Sequence, residues 1–138
     1  MKTEERKQIA IESRKRGYSC SQAVTCAFKD RYGIDESTLL KISEGFGGGI
    51  AGTKGVCGAV TAMVLLAGLE NADGNTEKVT SKQDTYKIGS GFMDAFEEKN
   101  GSVICSKLKG LDGGEMLRSC NGCIEDAIEI VSKFIGEE

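Results

Sequence analysis

Apolar residues recur along the chain at intervals of three and four positions, which is the spacing of one face of an α-helix. The clearest such pattern covers residues 119–135, where an apolar stripe alternates with charged positions. Residues 3–15 and 76–99 are also predicted to be helical, the latter with Val79 and Tyr86 in its buried stripe. Because no convincing alternating run indicates a strand, we predict an all-α, single-domain bundle of five or six helices over residues 1–138.

Residues 56–69 are apolar on every side, a pattern that is typical of a central buried helix. We therefore expect Val64 and Leu65 to be nearly fully buried. The run is shorter than the roughly 18 residues that a membrane-spanning helix needs. Because a small bundle needs a partner to cover such a helix fully, we expect a homodimer.

Two further helices are predicted before this central one. One begins near Ser19 and ends at Gly33, and Asp35 has the position of an N-cap for a short helix through Ile42. Residues 45–55 then contain six glycines in eleven positions. Each glycine costs a helix or strand stability, so this segment is predicted to be a loop.

The glycine loop fits one nucleotide-binding pattern literally, since it contains Gly47-x-Gly49-x-x-Gly52. That fingerprint works between a strand and a helix, whereas the segment before this loop is predicted to be helical. The phosphate-loop pattern fails because Thr53-Lys54 has the order of its two residues reversed. We favour a different use for Gly47, Gly48 and Gly49: a loop that feeds a helix N-terminus presents backbone amides to an anionic group or a thiolate.

Composition excludes several function classes. The chain has no histidine, which rules out Ser-His or Cys-His catalysis and histidine ligation of zinc or haem. The net charge of −3 has the wrong sign for a general binder of nucleic acid or of an anionic membrane. The first residues have mixed charge and lack the apolar core of a signal peptide. We therefore expect a soluble, cytoplasmic protein with reduced thiols.

The conspicuous reactive residues are six cysteines: Cys20, Cys26, Cys57, Cys105, Cys120 and Cys123. Three predicted helices carry a cysteine in the first turn, at Cys20, at Cys57 and at the pair Cys120 and Cys123. The partial positive charge of a helix N-terminus favours the thiolate. Cys26 falls on a different face of its helix from Cys20, so we expect it to be a bystander.

Five motifs occur in a fixed order: residues 19–24 (SCSQAV), 45–49 (GFGGG), 55–59 (GVCGA), 101–105 (GSVIC) and 123–127 (CIEDA). Together they resemble a family described as putative redox-active proteins and named for its C_GCAxxG_C_C cysteine pattern. The resemblance implies that the redox residues are Cys20, Cys57, Cys105 and Cys123, with Cys120 as a rival of Cys123. Ala62 stands where the distal glycine of the motif would fall. This departure concerns close packing of a neighbouring helix at that point and does not affect the cysteines.

The resemblance implies redox chemistry and leaves its form open. Cys20, Cys57, Cys105 and either Cys123 or Cys120 would ligate an iron–sulfur cluster or another metal, or would form a thiol–disulfide relay with an unknown redox partner. Either form is compatible with an oxidoreductase. Inert cysteines in a structural or interaction protein are the third interpretation.

The family is also similar to part of the split-Soret cytochromes, which bind haem and an iron–sulfur centre. This chain has no Cys-x-x-Cys-His sequence, so the haem role does not transfer. For either redox form, we expect the four cysteines to converge in one pocket beside residues 45–55, with Cys26 outside it.

Overall fold

The computed structural model describes residues 1–137, which fold into helices and loops without a β-strand. Six of the helices have seven or more residues and two are shorter, which confirms the all-α prediction. Their bounds are α1 Thr3–Lys15, α2 Cys20–Cys26, α3 Lys29–Tyr32, α4 Glu36–Glu44, α5 Gly58–Asn71, α6 Lys82–Asn100, α7 Cys105–Lys109 and α8 Cys120–Phe134. Within this described part, no helix has both the length and the hydropathy needed to cross a membrane.

Side-chain caps fix where the helices begin. Ser19 accepts a hydrogen bond from the backbone N–H of Gln22, whose side chain accepts one from the N–H of Ser19, and this capping box starts α2. Asp35 caps α4 as predicted, and Ser119 caps α8. The helix predicted from Ser19 to Gly33 is instead divided into α2 and α3, the second of which ends at Gly33 in the left-handed conformation.

The long helix α6 begins six residues later than the sequence pattern predicts. Residues 76–81 form a loop because Asp73 accepts hydrogen bonds from the backbone of Asn75 and the hydroxyl of Thr80, which closes a turn there. The prediction that Val79 and Tyr86 belong to a buried stripe is therefore wrong, since both are exposed.

Helix α5 lies at the centre of the fold and packs against α2, α6 and α8. Its buried face carries Val60, Met63 and Leu66. The expectation that Val64 and Leu65 are nearly fully buried is wrong: Val64 is 37% exposed and Leu65 is half-buried. The three neighbouring helices leave one side of α5 uncovered, and there the two residues line an open apolar groove.

The two ends of the described chain meet at a buried arginine. The Arg6 side chain is 0% exposed and donates hydrogen bonds to Asp30 at 2.6 Å, to Glu137 at 2.6 Å and to the carbonyl oxygen of Ala27 at 2.7 Å. Its guanidinium group also lies 4.4 Å from the centre of the Phe28 ring. Because a buried guanidinium is stable only when it is paired, this residue joins α1 to the α2–α3 corner and to the segment after α8.

We expect Arg6→Ala to lower the free energy of unfolding by about 3 kcal/mol, because it removes a buried cation and breaks its ion pairs with Asp30 and Glu137. Lys7→Ala is the matched control. Among residues 1–137, Lys7 pairs with the exposed Glu4 and Glu129, so its loss is expected to cost about 0.5 kcal/mol. Urea unfolding followed by circular dichroism measures both. Equal losses would show that the Arg6 cluster does not hold the ends together.

Candidate functional site

Five of the six cysteines line a single cavity of about 10 Å³, which lies where the first turns of four helices meet. We call it the thiol cavity, and its cysteines are Cys20, Cys57, Cys105, Cys120 and Cys123. All six cysteines of the chain are free thiols. Cys26 is buried elsewhere and does not line the cavity. The structure therefore brings both Cys120 and Cys123 to the site, although the sequence presents them as rivals for one place.

Each cysteine of the cavity stands at or near a helix start. Cys20, Cys105 and Cys120 are the first residues of α2, α7 and α8, Cys57 is the N-cap of α5, and Cys123 lies one turn into α8. The sequence pattern missed the start of α7 at Cys105. The available signal was Ser102, whose hydroxyl accepts a hydrogen bond from the backbone N–H two residues later and turns the chain into α7.

Two backbone hydrogen bonds bring Cys57 and Cys105 together from distant parts of the sequence. The N–H of Cys57 donates to the carbonyl oxygen of Val103 at 2.8 Å, and the N–H of Cys105 donates to that of Gly55 at 2.8 Å. This single antiparallel bridge joins the exit of the glycine loop to the entry of α7. As a result, α5 and α7 both begin at the wall of the thiol cavity.

The glycine loop forms another wall of the cavity. Gly48 and Gly49 line it, and a Cβ atom added to Gly49 would lie 2.7 Å from the Cβ of Cys105. Gly47 packs instead against Ser19. Within residues 1–137, the N–H groups of Gly48 and Gly49 donate no hydrogen bond to a protein acceptor. These two amides are therefore available to an anionic group, and their binding of one stays a prediction.

The loop also contains strained backbone. Residues 48–52 all have positive φ, including Ile50 at 65° and Ala51 at 54°. The left-handed conformation costs a residue with a Cβ about 1–2 kcal/mol. Strain of this kind is concentrated at functional sites, where the surrounding structure holds it in place.

Cys20 and Cys120 form one thiol pair, which we call the outer pair because Cys120 is half-buried and is the most exposed cysteine of the cavity. A hydrogen bond from Cys20 and the nearby Lys109 ammonium lower the pKa of Cys120 to about 5. The same contact, together with burial, raises the pKa of Cys20. The outer pair is therefore a thiolate at Cys120 beside a protonated thiol at Cys20.

Cys57 and Cys123 form the inner pair, since they are only 4% and 2% exposed. A hydrogen bond from Cys123, helped by the backbone N–H groups of Ala59 and Val60 in the first turn of α5, lowers the pKa of Cys57 to about 7. The contact with Cys57 and burial both raise the pKa of Cys123. The inner pair thus repeats the arrangement of a thiolate and a thiol, in a more buried place.

The fifth thiol, Cys105, lies between the glycine loop and Lys109. Burial raises its pKa, and the Lys109 ammonium opposes that effect. Lys109 lines the cavity, and the contact with Cys120 raises its own pKa. Sequence reasoning missed this lysine. The available signal was its spacing: Lys109 follows Cys105 by four positions in α7, so both lie on one face.

We tested whether these residues fit an iron–sulfur cluster or another metal. Thiolates are the donors that iron–sulfur clusters prefer, and four suffice, so the donor set fits such a cluster in kind and in number. The arrangement is tight, because the cavity has about the volume of one water molecule. Over residues 1–137, no three histidine, cysteine, aspartate or glutamate side chains are placed so that they could hold one metal ion.

Comparisons with known proteins place the chain in a family that is named for a pattern of cysteines. The family model described as "Putative redox-active protein (C_GCAxxG_C_C)" matches residues 18–134. An uncharacterized protein of Archaeoglobus fulgidus is 27% identical over 129 residues, which cover 82% of this chain and 85% of that protein. No solved structure matches the chain at a comparable level of significance.

The fit between Gly49 and Cys105 can be tested by substitution. We expect Gly49→Ala and Gly52→Ala each to cost about 1–2 kcal/mol, because both positions have positive φ. Beyond this shared cost, Gly49→Ala should lose about 1–3 kcal/mol more than Gly52→Ala. The methyl group added at Gly49 overlaps the Cys105 side chain, whereas the one added at Gly52 meets no neighbouring atom. Urea unfolding of the reduced protein measures the difference. Equal losses would show that the loop does not pack tightly on Cys105.

The pKa of Cys120 makes its reactivity depend on pH in a specific way. Because the thiolate is the nucleophile, a pKa of about 5 predicts that alkylation of Cys120 by iodoacetamide stays nearly constant from pH 8 to about pH 6 and falls below about pH 5. Lys109→Met should shift this fall to higher pH, whereas Lys107→Met, on an exposed position of α7, should not. Mass spectrometry of the metal-free, reduced protein measures the rate at each cysteine. A rate at Cys120 that rises steadily with pH would contradict the assignment.

Proposed function

We propose that this protein exchanges two electrons with a partner through a disulfide between Cys20 and Cys120. The chain belongs to the C_GCAxxG_C_C family of redox-active proteins, which is consistent with such an exchange. The observation that carries this proposal is the outer pair itself. The buried Cys20 contacts the half-buried Cys120 at the first residue of a long helix, and this contact and the Lys109 ammonium lower the pKa of Cys120 to about 5. This is the arrangement that an attacking cysteine and its resolving cysteine require.

In the first step, the Cys120 thiolate attacks one sulfur of a disulfide in a partner protein or a small molecule. The partner's S–S bond breaks, one partner sulfur leaves as a thiolate, and a mixed disulfide forms on Cys120. Cys20 then attacks Sγ of Cys120, and its proton passes to the second departing sulfur. The products are the Cys20–Cys120 disulfide and a reduced partner, so two electrons have moved from the protein to the partner.

The surroundings of the outer pair favour these roles. Cys120 is the most exposed cysteine of the cavity, while Cys20 is only 6% exposed, so a partner disulfide meets Cys120 more easily than Cys20. The Lys109 ammonium stabilises Cys120 as an attacking thiolate and as a leaving group when the partner reduces the disulfide. The same pair therefore supports transfer of electrons in both directions.

A second candidate is an electron-transfer protein with an iron–sulfur cluster, and the glycine loop favours it. Hydrogen bonds from amides such as those of Gly48 and Gly49 tune the potential of a cluster. The residues that would hold it are Cys20, Cys57, Cys105 and either Cys120 or Cys123. A bound cluster would supply one-electron transfer, and the protein would supply ligands, amides and exclusion of water.

Two measurements on one preparation distinguish the candidates. The protein is purified without oxygen, its iron, sulfide and zinc are determined, and the metal-free protein is then equilibrated with glutathione buffers of increasing oxidised fraction. We expect the Cys20–Cys120 disulfide to appear in peptide mass spectra after acid quenching and alkylation of the remaining thiols. In Cys20→Ser, a mixed disulfide with glutathione should accumulate on Cys120, because the resolving thiol is gone.

Cys26→Ser is the matched control, because Cys26 is buried outside the cavity and should leave the titration unchanged. The proposal fails if Cys120 remains a free thiol in fully oxidised glutathione. Stoichiometric iron and sulfide, lost in variants of the cavity cysteines and retained in Cys26→Ser, would establish the second candidate instead.

A further inference from the structure

We propose that the inner pair, Cys57 and Cys123, is an internal store for a second pair of electrons, which exchanges with partners only through the outer pair. This inference rests on the proposed function. It extends the capacity of the site from two electrons to four, and it assigns an order to the two disulfides. The grounds are the shared cavity, the difference in exposure between the pairs, and the closeness of Cys20 to the residue that follows Cys57.

The first ground is that the two pairs share one small cavity. Both pairs line the same space of about 10 Å³, so the two pairs lie close together. Each outer-pair residue lies close to one inner-pair residue: Cys120 is one turn before Cys123 in α8, and Cys20 lies beside the residue that follows Cys57. A Cβ atom added to Gly58, the residue after Cys57, would lie 3.4 Å from the Cβ of Cys20. The disulfide of the outer pair would therefore lie within reach of Cys57.

The second ground is access from solvent. Cys57 and Cys123 are 4% and 2% exposed, and the cavity that they line is walled by the first turns of α2, α5, α7 and α8 and by the glycine loop. A disulfide of a partner protein must place a sulfur atom in line with the attacking thiolate, which a buried thiol does not allow. Cys120 is half-buried at the edge of the same cavity, so the outer pair stands between the inner pair and any large partner.

The transfer of two electrons from the inner pair to the outer disulfide needs no reactant other than the four cysteines. The Cys57 thiolate attacks Sγ of Cys20 in the Cys20–Cys120 disulfide, that S–S bond breaks, and Cys120 leaves as a thiolate beside Lys109. Cys123 then attacks Sγ of Cys57, and its proton passes to Cys20 as the Cys57–Cys20 bond breaks. The outer pair is again a thiolate and a thiol, and Cys57–Cys123 is the new disulfide. A second partner disulfide can then oxidise the outer pair once more.

Cys105 is the remaining thiol of the cavity and takes no part in this sequence of steps. It lies on the side of the glycine loop and Lys109, and neither pair has it as a direct hydrogen-bond partner.

The test follows where disulfides appear with time in the metal-free, full-length protein. One equivalent of oxidised glutathione is added, samples are quenched in acid, the remaining thiols are alkylated, and peptides are mapped by mass spectrometry. We expect the Cys20–Cys120 disulfide first and its conversion to Cys57–Cys123 later. Excess oxidised glutathione should remove four hydrogen atoms from each chain.

The variants determine whether the order is obligatory. In Cys120→Ser, the inner disulfide should form at least about tenfold more slowly than in the unsubstituted protein, since the accessible nucleophile is missing. In Cys20→Ser, glutathione should stay on Cys120 and the inner pair should stay reduced. Cys26→Ser, whose cysteine lies outside the cavity, should behave like the unsubstituted protein, and circular dichroism checks that each variant is folded.

The outcomes separate this inference from the proposed function. Rapid formation of Cys57–Cys123 in either Cys120→Ser or Cys20→Ser would overturn the inference. So would an outer disulfide that never passes to the inner pair in the unsubstituted protein, although the proposed function would then stand. If the outer disulfide itself does not form, the proposed function has failed and the inference fails with it.

Discussion

The structure depends on the convergence of helix N-termini at one point. Helices α2, α5, α7 and α8 all begin at the thiol cavity, and each brings backbone N–H groups that its own first turn leaves without a partner. Their partial positive charges oppose one another unless negative charge lies among them. Thiolate sulfur supplies that charge without the tight hydration of a carboxylate. Cysteine at these helix starts therefore serves the fold and the chemistry together.

Local sequence patterns predicted the features that depend on local physics. Helical spacing gave the all-α fold, and capping residues such as Asp35 and Ser119 marked helix starts. The patterns failed where packing decides. Residues 56–69 are apolar on every side, so nothing in them indicated that the stripe with Val64 would remain uncovered. Ser102 marks the start of the short helix at Cys105, but the backbone bridge that joins this start to the glycine loop is a long-range contact that local patterns do not indicate.

The pairing of the thiols is another property that spacing could not provide. Cys120 and Cys123 form a C-x-x-C sequence, which by itself favours a disulfide between them. In the structure each contacts a cysteine of a different helix, Cys20 or Cys57. Successive turns of α8 present the two thiols to different partners. Long-range packing of α8 on α2 and α5 thus decides the pairing.

A buried ion pair holds that part of α8 in place. Asp126 is 2% exposed and accepts hydrogen bonds from Lys99 at 2.8 Å and from Arg118 at 3.0 Å. The Arg118 side chain lies across Gly122, where any Cβ atom would collide with it. Glycine between the two cysteines therefore lets the guanidinium reach Asp126, and the ion pair fixes the first turn of α8 from outside the cavity. Because Asp126 is paired with both cations, it anchors α8 without leaving an unpaired charge in the core, and the position of Cys123 one turn earlier is fixed with it.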